Sequence, residues 1–294
     1  MPSVVNLVLI DFHTHISDGS SRTIDDARAH IARYGGGRSV LLPLAPGEAT
    51  AAGDNQGTRT EVAIEAFDQY GAEVIPFCDV GPLAPDALDQ IRRYHATGKC
   101  HGFGEYKVRL DCDHPASMAI YRLCGELGWP VVVHFEYGEF AHNFEDFGKV
   151  LEACPGTTFV GHAISWWSNV SSEVNTDRQS PDYEVYPTGP VTSGGLTDRW
   201  LDEYPNLYAD LSARSGYFAL SRDPEFGRDF VRRHRLKLLW GTDCPCLDGE
   251  GTLPNGGYRD CLAGLSLPML RDYCESEEHF QDITWHNAER LLEL

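Results

Sequence analysis

Short apolar runs and helical patterns alternate along this chain. The runs have the length and β-branched content of buried strands, and the segments between them carry apolar residues at helical spacing. We predict strands within residues 4–15, 39–44, 72–80, 99–110, 129–135, 157–162, 207–211 and 236–240. We predict helices over residues 23–34, 60–70, 85–97, 115–127, 143–153, 196–204 and 224–234, with two more near 268–275 and 284–294.

Eight strand–helix units in 294 residues favour a closed barrel. No shift of composition marks a domain boundary, so we expect a single α/β domain over residues 1–294, a (β/α)8 barrel of the TIM type. The alternative is a doubly wound open sheet, which would usually carry a glycine-rich phosphate turn after its first strand. Here the first strand ends in His-Thr-His instead. An excursion at about 165–195 exceeds an ordinary loop and is predicted to be a functional cover.

The composition disfavours several classes of partner. The formal net charge of −20 argues against binding to nucleic acid or anionic membranes. The chain has no apolar run of about 18 residues, so no membrane span is expected. Its first residues lack the basic region and cleavage signal of a secreted precursor. We therefore expect a cytoplasmic protein whose partner is a small-molecule substrate, and we leave assembly into a homo-oligomer open.

The nine cysteines follow no disulfide pattern. Their odd number and the missing secretion signal argue against a disulfide framework, and we expect most of them to be small buried residues. The Cys244-Pro245-Cys246 spacing is too short for a zinc knuckle. Histidines in helical or polar stretches are predicted to be solvated, and these are His30, His95, His114, His234 and His279.

Candidate metal ligands follow the predicted strands. His13 and His15 lie two residues apart at the end of the first strand, so their side chains share a face. His134, His162 and Asp243 follow the fifth, sixth and eighth apolar runs. The carboxyl ends of barrel strands meet at one mouth, and imidazole and carboxylate groups there suit zinc. The alternatives are a His-x-His pair on a surface strand and single histidines satisfied in the core.

These motifs resemble those of the amidohydrolase superfamily, in the branch called amidohydrolase 2, which contains metal-dependent hydrolases and decarboxylases. The resemblance covers essentially the whole chain and is carried by residues 11–15 (DFHTH), His134, His162, residues 241–245 (GTDCP) and residues 286–292 (HNAERLL). It implies that a metal is held by His13, His15, His134 and Asp243. It also implies that His162 assists in proton transfer or substrate polarisation.

The fourth strand adds a charged pair. Glu105 and Lys107 alternate with apolar residues, so we expect the charged face to look into the barrel. Some superfamily members bridge two metals with a fourth-strand glutamate or a modified lysine, which makes Glu105 a further candidate ligand. A salt-bridged pair in the barrel mouth is one alternative, and substrate binding by Lys107 and Arg109 is another. We predict one metal ion, with Lys107 and Arg109 serving an anionic substrate group.

The predicted activity is hydrolysis of an amide, ester or lactone of a small, cyclic or carboxylated substrate, through water activated by a divalent metal. Zinc is the expected ion, with manganese and iron as alternatives. Asp243 and His162 are the predicted proton carriers. The residues predicted to bind the substrate are Lys107, Arg109, Trp166 and Trp167. The same ligands suit non-oxidative decarboxylation, our second hypothesis, and a barrel that binds a ligand without turning it over is the third.

Overall fold

The strands of the barrel are short and follow the predicted order. The computed structural model describes residues 9–16, 22–46 and 58–294, so residues 4–8 of the first predicted strand lie outside the described residues. The strands are β1 (Ile10–Thr14), β2 (Arg38–Leu41), β3 (Val74–Pro76), β4 (Phe103–Tyr106), β5 (Val131–His134), β6 (Phe159–His162), β7 (Leu207–Asp210) and β8 (Leu238–Leu239). Each overlaps a predicted apolar run.

All strand pairs in the described part of the chain are parallel and together form a closed barrel. Hydrogen-bonded ladders join β1 to β3 in sequence order and β4 to β8 in sequence order. Backbone hydrogen bonds connect these sets on both sides: among them, Cys78 N donates to Gly102 O at 3.0 Å, and Phe12 N donates to Trp240 O at 3.0 Å. These closing contacts are incompatible with an open sheet. The predicted (β/α)8 fold class is confirmed.

The strands are connected by helices. These are α1 (Ile24–Arg33), α2 (Thr60–Tyr70), α3 (Ala87–Ala96), α4 (Pro115–Glu126), α5 (Phe147–Ala153), α6 (Ala163–Ser168), α7 (Leu196–Glu203), α8 (Ala213–Ser221), α9 (Pro224–His234), α10 (Leu262–Tyr273), α11 (Glu277–Gln281) and α12 (Asn287–Leu291). Helix α1 begins at a capping box, in which Thr23 Oγ1 accepts from Asp26 N at 3.2 Å and Thr23 N donates to Asp26 Oδ2 at 2.8 Å. Within the described residues, every helix falls short of the length and hydrophobicity of a bilayer span.

Four segments differ from the predicted elements, and one of them is the short helix α11, which was not predicted. Helix α6 follows β6 directly, so the irregular excursion covers residues 169–195 and begins later than predicted. Helix α8 was not predicted; it packs between α6 and α9. Helix α10 begins at Leu262 and continues through Pro268, because the residues on both sides of the proline, Leu267 and Leu270, are buried.

The core has two layers, one on each face of the strands. Outward-facing strand residues pack against the helices. The barrel interior is filled by Ile10, Phe12, Val40, Leu42, Ile75, Phe77, Val132, Val160 and Leu239, together with Ala288 and Leu292. His101, which precedes β4, lies with Nδ1 3.4 Å from Leu292 O, so the C-terminal segment closes the amino end of the barrel. Apolar filling at that end leaves the strand-end polar groups at the opposite mouth.

Two histidines that the sequence predicted to be solvated are buried. His30 is 0% exposed and His234 is 3% exposed. His234 Nε2 lies 2.6 Å from Asp198 Oδ1, and His30 Nε2 lies 3.2 Å from Cys261 Sγ. Both partners come from other helices, so the pattern within one helix could not show them. The prediction that most cysteines are buried is confirmed.

Candidate active site

Strand β1 carries two histidines to the mouth of the barrel. Its register against β2 shifts between Asp11 and Thr14. His13 Nδ1 donates to Asp210 Oδ2 at 2.6 Å, and His15 Nδ1 donates to Leu42 O at 2.9 Å. Because these acceptors hold the proton on Nδ1, each neutral ring presents the lone pair of its Nε2 atom.

The two Nε2 atoms of this pair face each other. His13 Nε2 and His15 Nε2 lie 3.0 Å apart. Two nitrogen lone pairs at this distance repel each other unless a cation or a proton lies beside both. Buried acceptors that fix the imidazole tautomer are also the usual outer partners of metal-binding histidines. The donor set of β1 therefore fits a divalent cation.

Glu105 lies at the centre of the histidines. Its carboxylate contacts the Nδ1 atom of His134, lies 3.2 Å from His15 Nε2 and lies 3.5 Å from His162 Nε2. Burial alone would raise the pKa of this carboxyl group, but the charge of His134, followed by that of Lys107, outweighs burial and holds the pKa well below its usual value. Glu105 therefore remains an anion inside the barrel, on the face that its alternation with apolar residues predicted.

A buried carboxylate on β7 orients two of the histidines. Asp210 Oδ2 accepts from His13 Nδ1 and lies 3.1 Å from His162 Nδ1, and Ser212 Oγ donates to the same oxygen at 2.8 Å. Burial raises the pKa of Asp210, but the charge and hydrogen bond of His13 and the contact with His162 hold it well below its usual value. His162 Nε2 is consequently directed away from β7, towards Glu105 and Asp243.

Asp243 is the solvent-facing carboxylate of the cluster. Its side chain is 31% exposed, whereas that of Glu105 is 3% exposed. Its Oδ1 atom lies 3.8 Å from His15 Nε2 and 4.0 Å from His13 Nε2, and its Oδ2 atom lies 4.0 Å from His162 Nε2. The backbone is held by a hydrogen bond from Asp243 N to His13 O at 2.8 Å. Asp243 therefore joins the buried histidines to solvent.

The ligand atoms converge in two overlapping groups, each within 4.8 Å: His13 with His15 and Asp243, and His13 with Glu105 and His162. Ligands bonded to zinc at about 2.0–2.2 Å lie roughly 3.0–3.5 Å from one another, which is close to these spacings. His134 belongs to neither group, because its Nδ1 atom binds Glu105 and its Nε2 atom lies 3.3 Å from Glu136 Oε2. The ligand role of His134 stays a prediction.

The predicted cationic residues lie beside the cluster. Lys107 Nζ lies 5.1 Å from the centroid of the Phe140 ring, and the Arg109 guanidinium lies 4.8 Å from it. The edge of Phe140 in turn meets the His134 ring, with the centroids 5.4 Å apart. The two cations therefore share one aromatic support at the rim of the site.

The two tryptophans predicted to bind substrate lie elsewhere. Trp166 and Trp167 are almost fully buried in α6. The Trp166 ring stacks on Phe135, and Trp167 Nε1 donates to Asp210 O at 2.9 Å. Because α6 starts immediately after β6, it turns both rings into the layer between barrel and helices. Both rings pack in this layer, and their role in substrate binding stays a prediction.

Several residues of the site were missed from the sequence. Asp210 ends the apolar run of β7, so the strand-end signal that identified His134 and His162 was present there too. Asp11 is buried and its carboxylate accepts from Thr242 N at 2.7 Å and from Thr242 Oγ1 at 2.6 Å, which ties β1 to the segment that carries Asp243. Ser212 and Glu136 gave no local signal.

The family model of amidohydrolases matches residues 10–163 and 197–294. The chain belongs to the amidohydrolase 2 family. The unmatched residues 164–196 correspond closely to α6 and the excursion, so the match covers the barrel and all the strand ends described above. The family is metal-dependent, in agreement with the converging ligand groups. No curated protein matches this amidohydrolase in sequence.

Solved structures share the fold of this amidohydrolase at low identity. An uncharacterized TIM-barrel protein from Bordetella bronchiseptica superimposes with a TM-score of 0.63 at 17% identity, covering 98% of this chain and 99% of that one. A 2,6-dihydroxybenzoate decarboxylase from Rhizobium gives 0.59 at 12% identity, covering 97% and 98%. A protein assigned as a 2-pyrone-4,6-dicarboxylic acid hydrolase, from Pseudomonas putida, gives 0.59 at 14% identity, covering 98% of both chains. These likenesses show the fold and do not distinguish hydrolysis from decarboxylation.

Proposed function

We propose that this amidohydrolase hydrolyses an amide, ester or lactone of a small carboxylated substrate at the mouth of the barrel. The observation that carries the proposal is the position of Asp243. Its carboxylate is partly exposed and lies within 4.0 Å of the Nε2 atoms of the buried His13 and His162. A water molecule and a substrate carbonyl can reach this carboxylate from solvent, which is what a general base requires.

A single divalent cation fits this proposal. His13 and His15 would bind it through Nε2, with Asp243 and either His134 or Glu105 completing the set; zinc suits these ligands, and manganese and iron are the alternatives. Such an ion supplies Lewis-acid polarisation and lowers the pKa of water. Glu105 is already engaged by histidines on both oxygens. This engagement supports one ion over two that share Glu105 as a bridge.

Proton transfer is assigned to two residues. Asp243 would take a proton from the attacking water and return it to the leaving group. His162 is held through Nδ1 by Asp210 and Ser212, so its Nε2 atom faces the space beside Asp243. With both ring nitrogens protonated, His162 would stabilise negative charge on the carbonyl oxygen through its Nε2 proton. Both roles depend on groups that are already oriented before the substrate arrives.

The rim cations support a carboxylated substrate. Lys107 and Arg109 carry positive charge beside the cluster, and Phe140 holds both side chains in place. A carboxylate bound there would orient the reacting carbonyl towards Asp243. We therefore assign Lys107 and Arg109 to substrate binding.

Decarboxylation is the second candidate function. The same rim cations would bind a carboxylate that is to be lost, and His162 would then deliver a proton to carbon as carbon dioxide leaves. A fold neighbour named as a 2,6-dihydroxybenzoate decarboxylase makes this a concrete alternative. Only the product separates the two reactions.

The decisive experiment is a screen of cyclic carboxylic acids, lactones and amides with metal-replete protein, followed by mass spectrometry. A single product heavier by one water, from a cyclic substrate, or two products whose masses sum to substrate plus water, supports hydrolysis. A product lighter by carbon dioxide replaces hydrolysis with decarboxylation. Binding of such acids without any turnover would indicate that the barrel binds a ligand but has no catalytic activity.

Elemental analysis of the folded protein tests the cation itself. We expect one transition-metal ion at the mouth of the barrel, and this ion should be lost when His13 and His15 are both replaced by Asn. Two ions that are both lost in Glu105→Ala would overturn the single-ion proposal. A folded protein with only trace metal would overturn the proposed cation altogether.

A further inference from the structure

The residues His13, His15, Glu105, His162 and Asp243 are called the mouth cluster below. A second group of potential metal ligands lies beside this mouth cluster. It consists of His30 from α1, Cys244 and Cys246 from the segment after β8, and Cys261 at the start of α10. All four residues are buried, with exposed fractions of 0, 3, 0 and 6%. None of them belongs to the mouth cluster, although Cys244 directly follows Asp243. We call this group the cysteine cluster.

The geometry of the cysteine cluster suits one tetrahedral ion. One ligand atom from each residue lies within 4.8 Å of the other three. His30 Nε2 lies 3.2 Å from Cys261 Sγ, and Cys244 Sγ lies 2.9 Å from Cys246 Sγ. Tetrahedral zinc with Zn–S near 2.3 Å and Zn–N near 2.0 Å places its ligand atoms roughly 3.5–3.8 Å apart. Side-chain shifts of less than about 1 Å would therefore accommodate the ion.

The polar groups of this cluster are poorly satisfied by protein alone. Thiols are weak hydrogen-bond donors and acceptors. Among the described residues, His30 Nδ1 is buried and has no hydrogen-bond partner. Cys261 occupies the N-cap of α10, where the helix dipole favours a thiolate. A buried imidazole among three thiols is thus an environment that a cation would complete.

We propose that His30, Cys244, Cys246 and Cys261 bind a zinc ion that is separate from the cation of the mouth cluster. Three thiolates and one imidazole form a closed set with no position left for water, as in structural zinc sites. The inference does not depend on the proposed hydrolase activity, because it uses no residue of the mouth.

The ion would connect three parts of the chain that are separate in sequence. It would link α1 to the segment after Asp243 and to the start of α10. The loop between Cys246 and Cys261 is attached to α1 by two further contacts: Tyr34 OH donates to Gly249 O at 2.7 Å, and Arg33 pairs with Glu250 at 2.6 Å. The zinc would therefore hold the segment that carries Asp243 against the barrel.

Metal analysis of protein purified under reducing conditions tests the site. We expect one zinc that is lost in Cys261→Ser and retained in Cys100→Ser, a matched substitution of a buried cysteine outside the cluster. This zinc should also remain in the double variant His13→Asn/His15→Asn, which removes the mouth ligands. Loss of the cysteine-bound zinc in that double variant would show that the two sites are not separate and would overturn the proposal.

Cobalt substitution of the wild-type protein provides a readout that needs no variant, in case Cys261→Ser fails to fold. Thiolate-to-cobalt charge-transfer absorption, which ligands without sulfur cannot produce, is the expected result. A cobalt spectrum without this band, while the three cluster thiols remain free, would overturn the proposal, as would a Cys244–Cys246 disulfide found by non-reducing peptide mapping. A thiolate-bound metal other than zinc in the purified protein would overturn the choice of ion.

Discussion

The mouth cluster and the cysteine cluster contain adjacent residues of the segment after β8, Asp243 and Cys244. Asp243 turns towards the histidines of β1 and stays 31% exposed, whereas Cys244 turns the other way and is 3% exposed. The mouth combines imidazoles with carboxylates and has an open side. The cysteine cluster combines thiols with one imidazole and is closed on all sides. In the roles proposed above, access to water therefore distinguishes the catalytic cluster from the structural one, even where their ligands are adjacent in sequence.

The largest effect is expected from removing the open carboxylate. Asp243→Asn keeps the size of the side chain but removes the base, so kcat/KM should fall about 10³-fold. The zinc of the cysteine cluster should be retained in this variant. The control is Asp89→Asn, the same exchange at an exposed aspartate of α3, which should keep activity near the wild-type value. Activity close to the wild-type value in Asp243→Asn would show that the exposed carboxylate is not needed for catalysis.

The next effect concerns the buried proton carrier. His162→Asn should lower turnover by on the order of 100-fold. Metal content should stay unchanged, because Nε2 of His162 is assigned to the substrate. His142→Asn, at a half-exposed histidine outside the cluster, is the control. If metal is lost together with activity, His162 is a metal ligand and must be added to the ligands of the mouth cation. Steady-state kinetics and elemental analysis on the same samples separate these outcomes.

A smaller effect is expected from the outer support of the mouth. Asp210→Asn leaves the ligand atoms in place but weakens the orientation of His13 and His162, which should cost about 10- to 100-fold in activity or metal affinity. The pH dependence of metal binding, followed by titration of the apo protein, is the direct measurement. Unchanged metal affinity and unchanged turnover would mean that the histidines are positioned by packing alone.

The smallest effect is expected at a third group of histidine and carboxylate side chains, which lies outside both clusters. Asp198, Asp202 and His234 also place ligand atoms within 4.8 Å, but Arg233 lies 2.8 Å from Asp198 Oδ1 and supplies the positive charge. We expect no metal there. Asp198→Asn should lower the free energy of unfolding by about 1–3 kcal/mol at neutral pH, because buried partners lose a charged acceptor.

The loss of unfolding free energy in Asp198→Asn should depend on pH in a defined direction. Burial raises the pKa of Asp198, but the hydrogen bonds of His234 and Arg233 outweigh burial and lower it. The stabilisation by Asp198 is therefore fully present above the unfolded pKa of about 3.9 and lost as the pH falls through the folded value. Urea unfolding of wild type and Asp198→Asn from pH 7 to pH 3 should show curves that converge on the acid side. A constant difference would contradict this assignment.

The alternation of strands and helices and the candidate ligands at the strand ends could be predicted from the sequence. Both are local signals, because periodicity reports burial along one element and parallel barrel strands end at a common mouth. His13, His15 and Asp243 could thus be associated before any contact was known. The same reasoning would have found Asp210, which also ends an apolar run.

The remaining contacts depend on how distant segments pack in the folded protein. His30 has an unremarkable helical context, and Cys244 and Cys246 are too closely spaced for a zinc knuckle, yet the fold places them around Cys261. Trp166 and Trp167 follow a strand end but turn into the core, because α6 starts without a connecting loop. Such contacts join residues far apart in the chain, and their geometry depends on how helices pack on the barrel, which no local pattern encodes.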